Sequence, residues 1–255
     1  MTKTLEVLFT PAEFTLLPQR DLSETVCVVF DVLRATSSMV TALGNGAAAI
    51  LPLSGIGEAL RVRQDNAAVL VAGERDGVRI EANVTGGVAF DLGNSPREFT
   101  KDKVAGKRIA MTTTNGTRAL RSCAHAKTVL VASFLNLRAT AHFLQELKPA
   151  NLLVICGGTY EQAAYEDVLG AGALCDLVWS NCSGGAVADS AEICRRLYSL
   201  EKDDLAAALG RSRNGRRLLS RAELSEDVAF CAQRDIFGLA AELGRDGWVR
   251  GHAKR

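Results

Sequence analysis

Short apolar runs dominated by Val, Ile and Leu recur along the first two thirds of the chain, and most give way to a stretch with helical spacing. The runs at 6–9, 26–32, 48–53, 69–72, 108–112, 128–131 and 152–156 are continuous rather than alternating. That pattern predicts strands buried on both faces, as in a parallel or mixed sheet covered by helices. Helices are predicted at 37–44, 56–66, 116–123, 137–147 and 165–179, between or after those strands. The alternation predicts an α/β chain, layered α/β/α, with a mixed and mostly parallel sheet.

The final third changes character. Segments 188–200, 205–208, 215–219 and 222–233 have helical patterning and are joined by polar turns such as 210–214, so a helical C-terminal third is expected. The segment RSRNGRRLLSR (211–221) is basic but sits among Glu201, Asp203, Asp204, Glu223, Glu226 and Asp227, and a solvated surface is expected there. Neither a low-complexity linker nor a short-period repeat divides the chain. It is read as one α/β unit over 1–255, with recurring strand–turn–helix units that leave room for two similar lobes, about 1–100 and 101–240.

Composition narrows the partners. Apolar residues make up 47% of the 255 residues and charged residues 23%, an ordinary globular balance. A formal net charge of +1 and 5% aromatics supply neither a basic field for phosphate backbones nor stacking platforms, so nucleic acid is not expected as a partner. No apolar run approaches the ~20 residues needed to cross a bilayer, and the first twenty residues lack the apolar core of a signal peptide. The seven cysteines are dispersed, with no CxxC pair, which fits a reduced, cytoplasmic chain.

Four segments at strand ends concentrate small and polar residues. VVFDVLRATSSM delivers Asp31 from a buried strand and follows it with Arg34, Thr36, Ser37 and Ser38 at a helix start. Exposed N–H groups there could take an anion and Arg34 could clamp it; equally, Asp31 could pair with Arg34 and Thr36 merely cap. GERDG (73–77) and DLGNSP (91–96) form the second group. Ser95 and Pro96 there read as a helix start, and Asp91 and Asn94 could orient a neighbouring loop. IAMTTTNGTRAL gathers Thr112, Thr113, Thr114, Asn115, Gly116 and Thr117 at a helix start, which favours phosphate binding over a simple turn. VICGGTYEQAAYEDVLGAGAL places Glu166 and Asp167 in a helix after Gly157 and Gly158. Such carboxylates suit Mg²⁺, or equally a solvated helix face.

Several phosphatase and nucleotide signatures are absent. Asp31 is not followed by the second Asp of DxDxT, no Cys has an Arg six positions later, and His125, His142 and His252 fall in no catalytic or ligand motif. SGIGEAL lacks the third glycine of a dinucleotide fingerprint.

Taken in order, DVLRATSS (31–38), GERDG, DLGNSP, TTTNGT (112–117) and CGGTYEQAAYEDVLGAGA (156–173) resemble the 2-phosphosulfolactate phosphatase family over most of residues 5–240. The resemblance implies a Mg²⁺-dependent α/β hydrolase that releases phosphate from 2-phospho-3-sulfolactate, a step in coenzyme M synthesis and sulfolactate formation, and it suggests a homo-oligomer. The chain departs from the family pattern at Ser37 and Ser38, where threonines are expected, and in a longer 80–90 stretch. It also lacks a Val-Pro after Asp235.

On this reading Asp31, Glu166 and Asp167 hold the metal directly or through water, with Asp31, Arg34 and Glu166 as the catalytic set. Thr113, Thr114, Asn115, Gly116 and Thr117 cradle the phosphoryl group; Arg34 and Arg75 bind sulfonate and carboxylate, and Thr36 and Asn94 complete the substrate-binding set. Two other readings stay open at this level: a non-catalytic regulator that binds a phospho-ligand, and a nucleotide-cofactor enzyme.

Overall fold

The computed structural model describes residues 2–182 and 185–253. Eleven strands form one sheet: β1 (Thr4–Leu8), β2 (Thr25–Phe30), β3 (Ala49–Leu53), β4 (Leu70–Arg75), β5 (Val78–Arg79), β6 (Arg108–Thr112), β7 (Thr128–Ala132), β8 (Asn151–Cys156), β9 (Ala186–Val187), β10 (Leu239–Leu243) and β11 (Val249–Ala253). Their spatial order is β5-β4-β6-β3-β11-β10-β7-β2-β8-β1-β9. The strands read from the continuous apolar runs are all present, and the architecture is layered α/β/α.

The sheet has two parallel wings. In one, β4, β6 and β3 run together; in the other, β7, β2, β8, β1 and β9 do. The β10–β11 hairpin joins them, antiparallel to β7 on one side and to β3 on the other. Two of the wing's neighbours, β4 and β3, come from before residue 100, yet β6 from beyond it lies between them. The 1–100 and 101–240 segments therefore share one sheet.

Strand alternation assigns side chains to layers. In β2, Val26, Val28 and Phe30 join one core with Leu130, Leu152 and Val154, covered by the helices Leu137–Leu147, Tyr165–Val178 and Asp189–Glu201. Cys27 and Val29 point to the opposite core with Leu153 and Ile155, beneath the Ala35–Gly44 and Gly116–Ser122 helices. All six residues of β2 are buried, which is why no polar alternation marks it. A smaller core of Leu53, Ala59, Val71, Ile80, Phe90 and Ala110 backs the β4–β6 wing.

The C-terminal third is helical only in part. Helices Asp189–Glu201, Leu205–Arg211, Arg213–Leu219 and Glu226–Cys231 match the expectation, but β10 and β11 follow them and fill the middle of the sheet. LAAEL and VRGHA carry few β-branched residues, so their strand character comes from pairing rather than propensity. The longer 80–90 stretch has its ends pinned by Phe90 N–H donating to Ile80 O at 2.9 Å, with both side chains buried. No helix among the described residues is long and apolar enough to cross a membrane.

Candidate active site

In open α/β sheets, ligands bind where loops leave the carboxyl ends of parallel strands. Here the loops after β2 and β8 meet the loops after β4 and β6. Asp31 leaves β2 and is clasped by Thr36, whose hydroxyl accepts from Asp31 N–H at 3.0 Å and donates to Asp31 O at 2.9 Å. Asp31 Oδ1 accepts from Ala35 N–H at 3.1 Å, so the start of the Ala35–Gly44 helix fixes the carboxylate. Its Oδ2 faces Gly116, where a Cβ would fall 2.8 Å from Oδ2 and 2.6 Å from Ala35 Cβ. Glycine is required there for close approach. Ser37 and Ser38 donate to the carbonyls of Val32 and Asn94, so both hydroxyls hold backbone.

From the other wing, Glu74 at the end of β4 is buried and holds two loops at once. Its Oε1 accepts from the Thr114 N–H (3.0 Å) and hydroxyl (2.9 Å), and its Oε2 accepts from Gly77 N–H (2.7 Å). Thr113 and Thr117 brace each other: Thr117 donates from Oγ1 to Thr113 O at 3.0 Å, and Thr113 Oγ1 accepts from Thr117 N–H at 3.3 Å. Thr114 thus spends its hydroxyl proton on Glu74, while the Thr113 proton remains to donate into the cleft that Thr113, Thr114 and Asn115 line.

Glu166 and Asp167 are neighbours in sequence but differ in role. Asp167 accepts from Val32 N–H at 2.7 Å through Oδ1 and from Gly158 N–H at 3.0 Å through Oδ2, tying the β2 and β8 loops together. Glu166 Oε1 accepts from the Asn214 amide at 2.6 Å, and the same amide donates to Thr159 Oγ1 at 2.7 Å. Glu166 Oε2 is buried without a partner. Buried side-chain polar atoms are normally paired, and exceptions call for a reason. Among the described residues the exceptions are Asn94 Oδ1, Thr100 Oγ1, Glu166 Oε2, Asn214 Oδ1 and Arg217 Nε, and all but Thr100 belong to this region.

The cleft between the loops is lined by Asp31, Arg34, Glu74, Asn94, Thr113, Thr114, Asn115, Thr159, Asn214 and Arg217, among others, and encloses ≈ 40 Å³. That is the scale of a few waters or one small oxyanion, far below the ~300–1,000 Å³ of ordinary cofactor clefts. An adjoining cleft of ≈ 370 Å³ shares Thr159 and Asn214 and is lined by Glu166. A larger groove, ≈ 980 Å³, lies beside Arg138, His142, Asp235 and His252 and carries none of the polar strand-end segments.

The carboxylates feel one another. Burial, with Glu74 and Glu166 nearby, pushes Asp31 up to about 7 against the opposing Ala35 N–H. Burial also raises Glu166, opposed by the Asn214 amide. Asp167 is raised well above the usual range by burial and by Asp31 and Glu166. Such a group must be relieved by protons or by a cation. No group of three or more His, Cys, Asp and Glu side chains among the described residues encloses a metal position. Mg²⁺ usually takes only one or two carboxylates plus waters and substrate phosphate. Asp31 and Glu166, with its unpartnered Oε2, fit that donor set.

The structure brings Asp31, Arg34, Asn94, Thr113, Thr114 and Asn115 to the cleft, with Gly116 and Glu166 behind its wall. Thr36 and Thr117 are buried supports. Arg75 folds back, donating to Glu74 O at 2.6 Å and Thr112 Oγ1 at 3.2 Å, and does not line the cleft. Arg34 pairs with Asp227 rather than Asp31: Nη1 donates to Asp227 Oδ2 at 2.7 Å and Nη2 to Gly77 O at 2.7 Å. The segment expected to be solvated surface is half wrong. Arg211, Arg213 and Arg216 are exposed, but Asn214 is buried against Glu166 and Arg217 lines the cleft. Asn–Gly inside a basic run gave the one signal, a polar residue with helical spacing to Arg217.

A sequence profile of the 2-phosphosulpholactate phosphatase family matches residues 12–245. Relatives named as probable 2-phosphosulfolactate phosphatases include one from Thermotoga petrophila, 38% identical over 82% of this chain and 85% of the relative. Another, from Pseudothermotoga lettingae, is 36% identical over 92% of this chain and 96% of its own length. One from Caldicellulosiruptor saccharolyticus is 34% identical over 87% and 90%. The chain therefore belongs to the 2-phosphosulpholactate phosphatase family, and a phosphatase of that name is a phosphoric monoester hydrolase.

Proposed function

We propose that this protein hydrolyses the phosphomonoester of a small 2-hydroxy acid, with 2-phospho-3-sulfolactate as substrate and 3-sulfolactate and phosphate as products. The observation that carries the reading is buried Asp31 beside the threonine loop 113–115 at one small cleft, with buried Glu166 in the adjoining cleft that shares Thr159 and Asn214, both carboxyls raised in pKa. The family to which the chain belongs and the names of its relatives supply the substrate.

Mg²⁺ is the proposed cofactor, held by Asp31 and Glu166. Bound there, it supplies charge neutralisation at the phosphoryl oxygens and acidifies a water. Asp167 keeps the loops after β2 and β8 in register through its two backbone contacts. The Thr113 hydroxyl and the Asn115 amide donate to phosphoryl oxygens, a fixed set of dipoles aimed at where charge develops. Glu74 fixes Thr114 and Gly77, so the loops after β4 and β6 keep one geometry.

Asp31→Asn and Glu166→Gln test this directly. Each is expected to lower phosphate release by on the order of 10²-fold or more while leaving a cooperative unfolding transition. Full activity in either variant removes that residue from the mechanism.

A further inference from the structure

We infer that Arg217 binds the substrate's second acid group, the carboxylate or sulfonate oxygens close to the phosphoester; the inference rests on the phosphatase reading above. The two arginines that the sequence offers for this task are already engaged. Arg34 is buried with its Nη atoms on Asp227 and Gly77 O, and Arg75 donates to Glu74 O and Thr112 Oγ1 outside the cleft. Arg217 lines the cleft and takes part in no ion pair among the described residues. Its Nε is buried without a partner, and its Nη1 reaches only Tyr160 Oη at 3.3 Å, a long contact.

Placement supports the assignment. Asn214 and Arg217 lie three residues apart in the Arg213–Leu219 region, so one helical face presents the amide to Glu166 and the guanidinium to the cleft. Gly77 separates the two guanidiniums: a Cβ there would stand 3.8 Å from Arg34 Nη2 and 4.0 Å from Arg217 Cζ. Charge points the same way, because Asp31, Glu74 and Asp76 also line the cleft and Asp227 neutralises Arg34. A substrate with a phosphate and a second anionic group meets carboxylates unless a guanidinium receives it. Arg217 has the planar, multidentate donors that carboxylate and sulfonate oxygens accept.

The test compares wild type, Arg217→Gln and Arg217→Lys on three substrates: 2-phospho-3-sulfolactate, 2-phospholactate, which lacks the sulfonate, and 2-sulfoethyl phosphate, which lacks the carboxylate. Thermal unfolding first checks that the variants fold. Arg217→Gln is expected to raise KM for the full substrate on the order of 10- to 100-fold with a smaller change in kcat, and Arg217→Lys to fall between. The ratio of kcat/KM between the full substrate and one truncated analogue should fall by a similar factor. The analogue concerned shows whether Arg217 holds sulfonate or carboxylate. Equal losses on all three substrates, or no loss on any, overturn the inference. If wild type releases phosphate from none of them, the phosphatase reading fails, and calorimetric binding of 3-sulfolactate decides on Arg217 alone. Weaker binding by Arg217→Gln then sustains its role, and unchanged binding ends it.

Discussion

Arg34 and Asp227, 193 residues apart, form an ion pair at 2.7 Å in which the side chains are 3% and 0% exposed. Asp227 Oδ1 also accepts from the Ser95 hydroxyl at 2.6 Å, and Arg34 Nη2 reaches Gly77 O. This pair thus joins the loop after β2, the β4–β5 turn, the 91–96 segment and the last helix of the chain. Removing one partner of a buried pair leaves a charge without compensation. Asp227→Asn is expected to cost about 3–5 kcal/mol in urea unfolding. The double variant Arg34→Met/Asp227→Leu should lose less than the sum of its single changes. Additive losses would show that the two residues do not act as a pair.

Asp31 sets a pH dependence in the metal-free protein. Its folded pKa, about 7, lies above the ordinary carboxylate range, so the folded state binds its proton more tightly than the unfolded state does. Its contribution to stability is full below about pH 4 and is lost as pH rises through about 7. Melting temperatures in EDTA should therefore fall across that window, and Asp31→Asn should flatten the fall. A profile identical in wild type and variant would place the titration elsewhere.

How much of this could be read in advance follows from what each residue must do. Asp31, Thr113 and Asn115 were legible because they sit where buried apolar strands stop and polar residues begin, and a strand's end fixes its next residue in space. Glu166 and Asp167 were legible as a pair but not in their separate tasks. Adjacent helical residues point roughly 100° apart, so one carboxylate meets the backbone of Val32 and Gly158 while the other meets Asn214. Asn214, Arg217 and Asp227 were hidden because charged helical segments look alike whether they face solvent or fold across a cleft. The β10–β11 hairpin escaped for a related reason: its strands are defined by their partners β7 and β3, which no local pattern reveals.

Asn214 backs Glu166, the carboxylate proposed as a Mg²⁺ donor. Its amide donates to Glu166 Oε1 and Thr159 Oγ1 and opposes the upward shift of Glu166. Outer contacts of this kind commonly change metal affinity about 10–100-fold. Asn214→Ala is expected to raise the Mg²⁺ concentration for half-maximal phosphate release by that factor. An unchanged Mg²⁺ dependence would remove Asn214 from that role.

Gly116 is set by space. A methyl group there meets Ala35 Cβ at 2.6 Å and Asp31 Oδ2 at 2.8 Å, contacts that require backbone or carboxylate to move. Overpacking of this sort costs roughly 1–3 kcal/mol. Gly116→Ala should lose that stability in urea unfolding and most of its phosphate release together. A variant as stable and active as wild type would show that the loop yields freely.

The cleft that Asp31 and the 113–115 loop line, with Glu166 behind its wall, is proposed as a metal-dependent phosphomonoesterase site. Phosphate release from 2-phospho-3-sulfolactate, 2-phosphoglycolate, 2-phosphoglycerate and phosphoenolpyruvate, measured with Mg²⁺ and then with EDTA, tests it most directly. Release that requires Mg²⁺ and is fastest with 2-phospho-3-sulfolactate is the predicted result. No release from any of the four by folded protein that still binds them would contradict the claim and leave a phospho-ligand-binding protein without turnover.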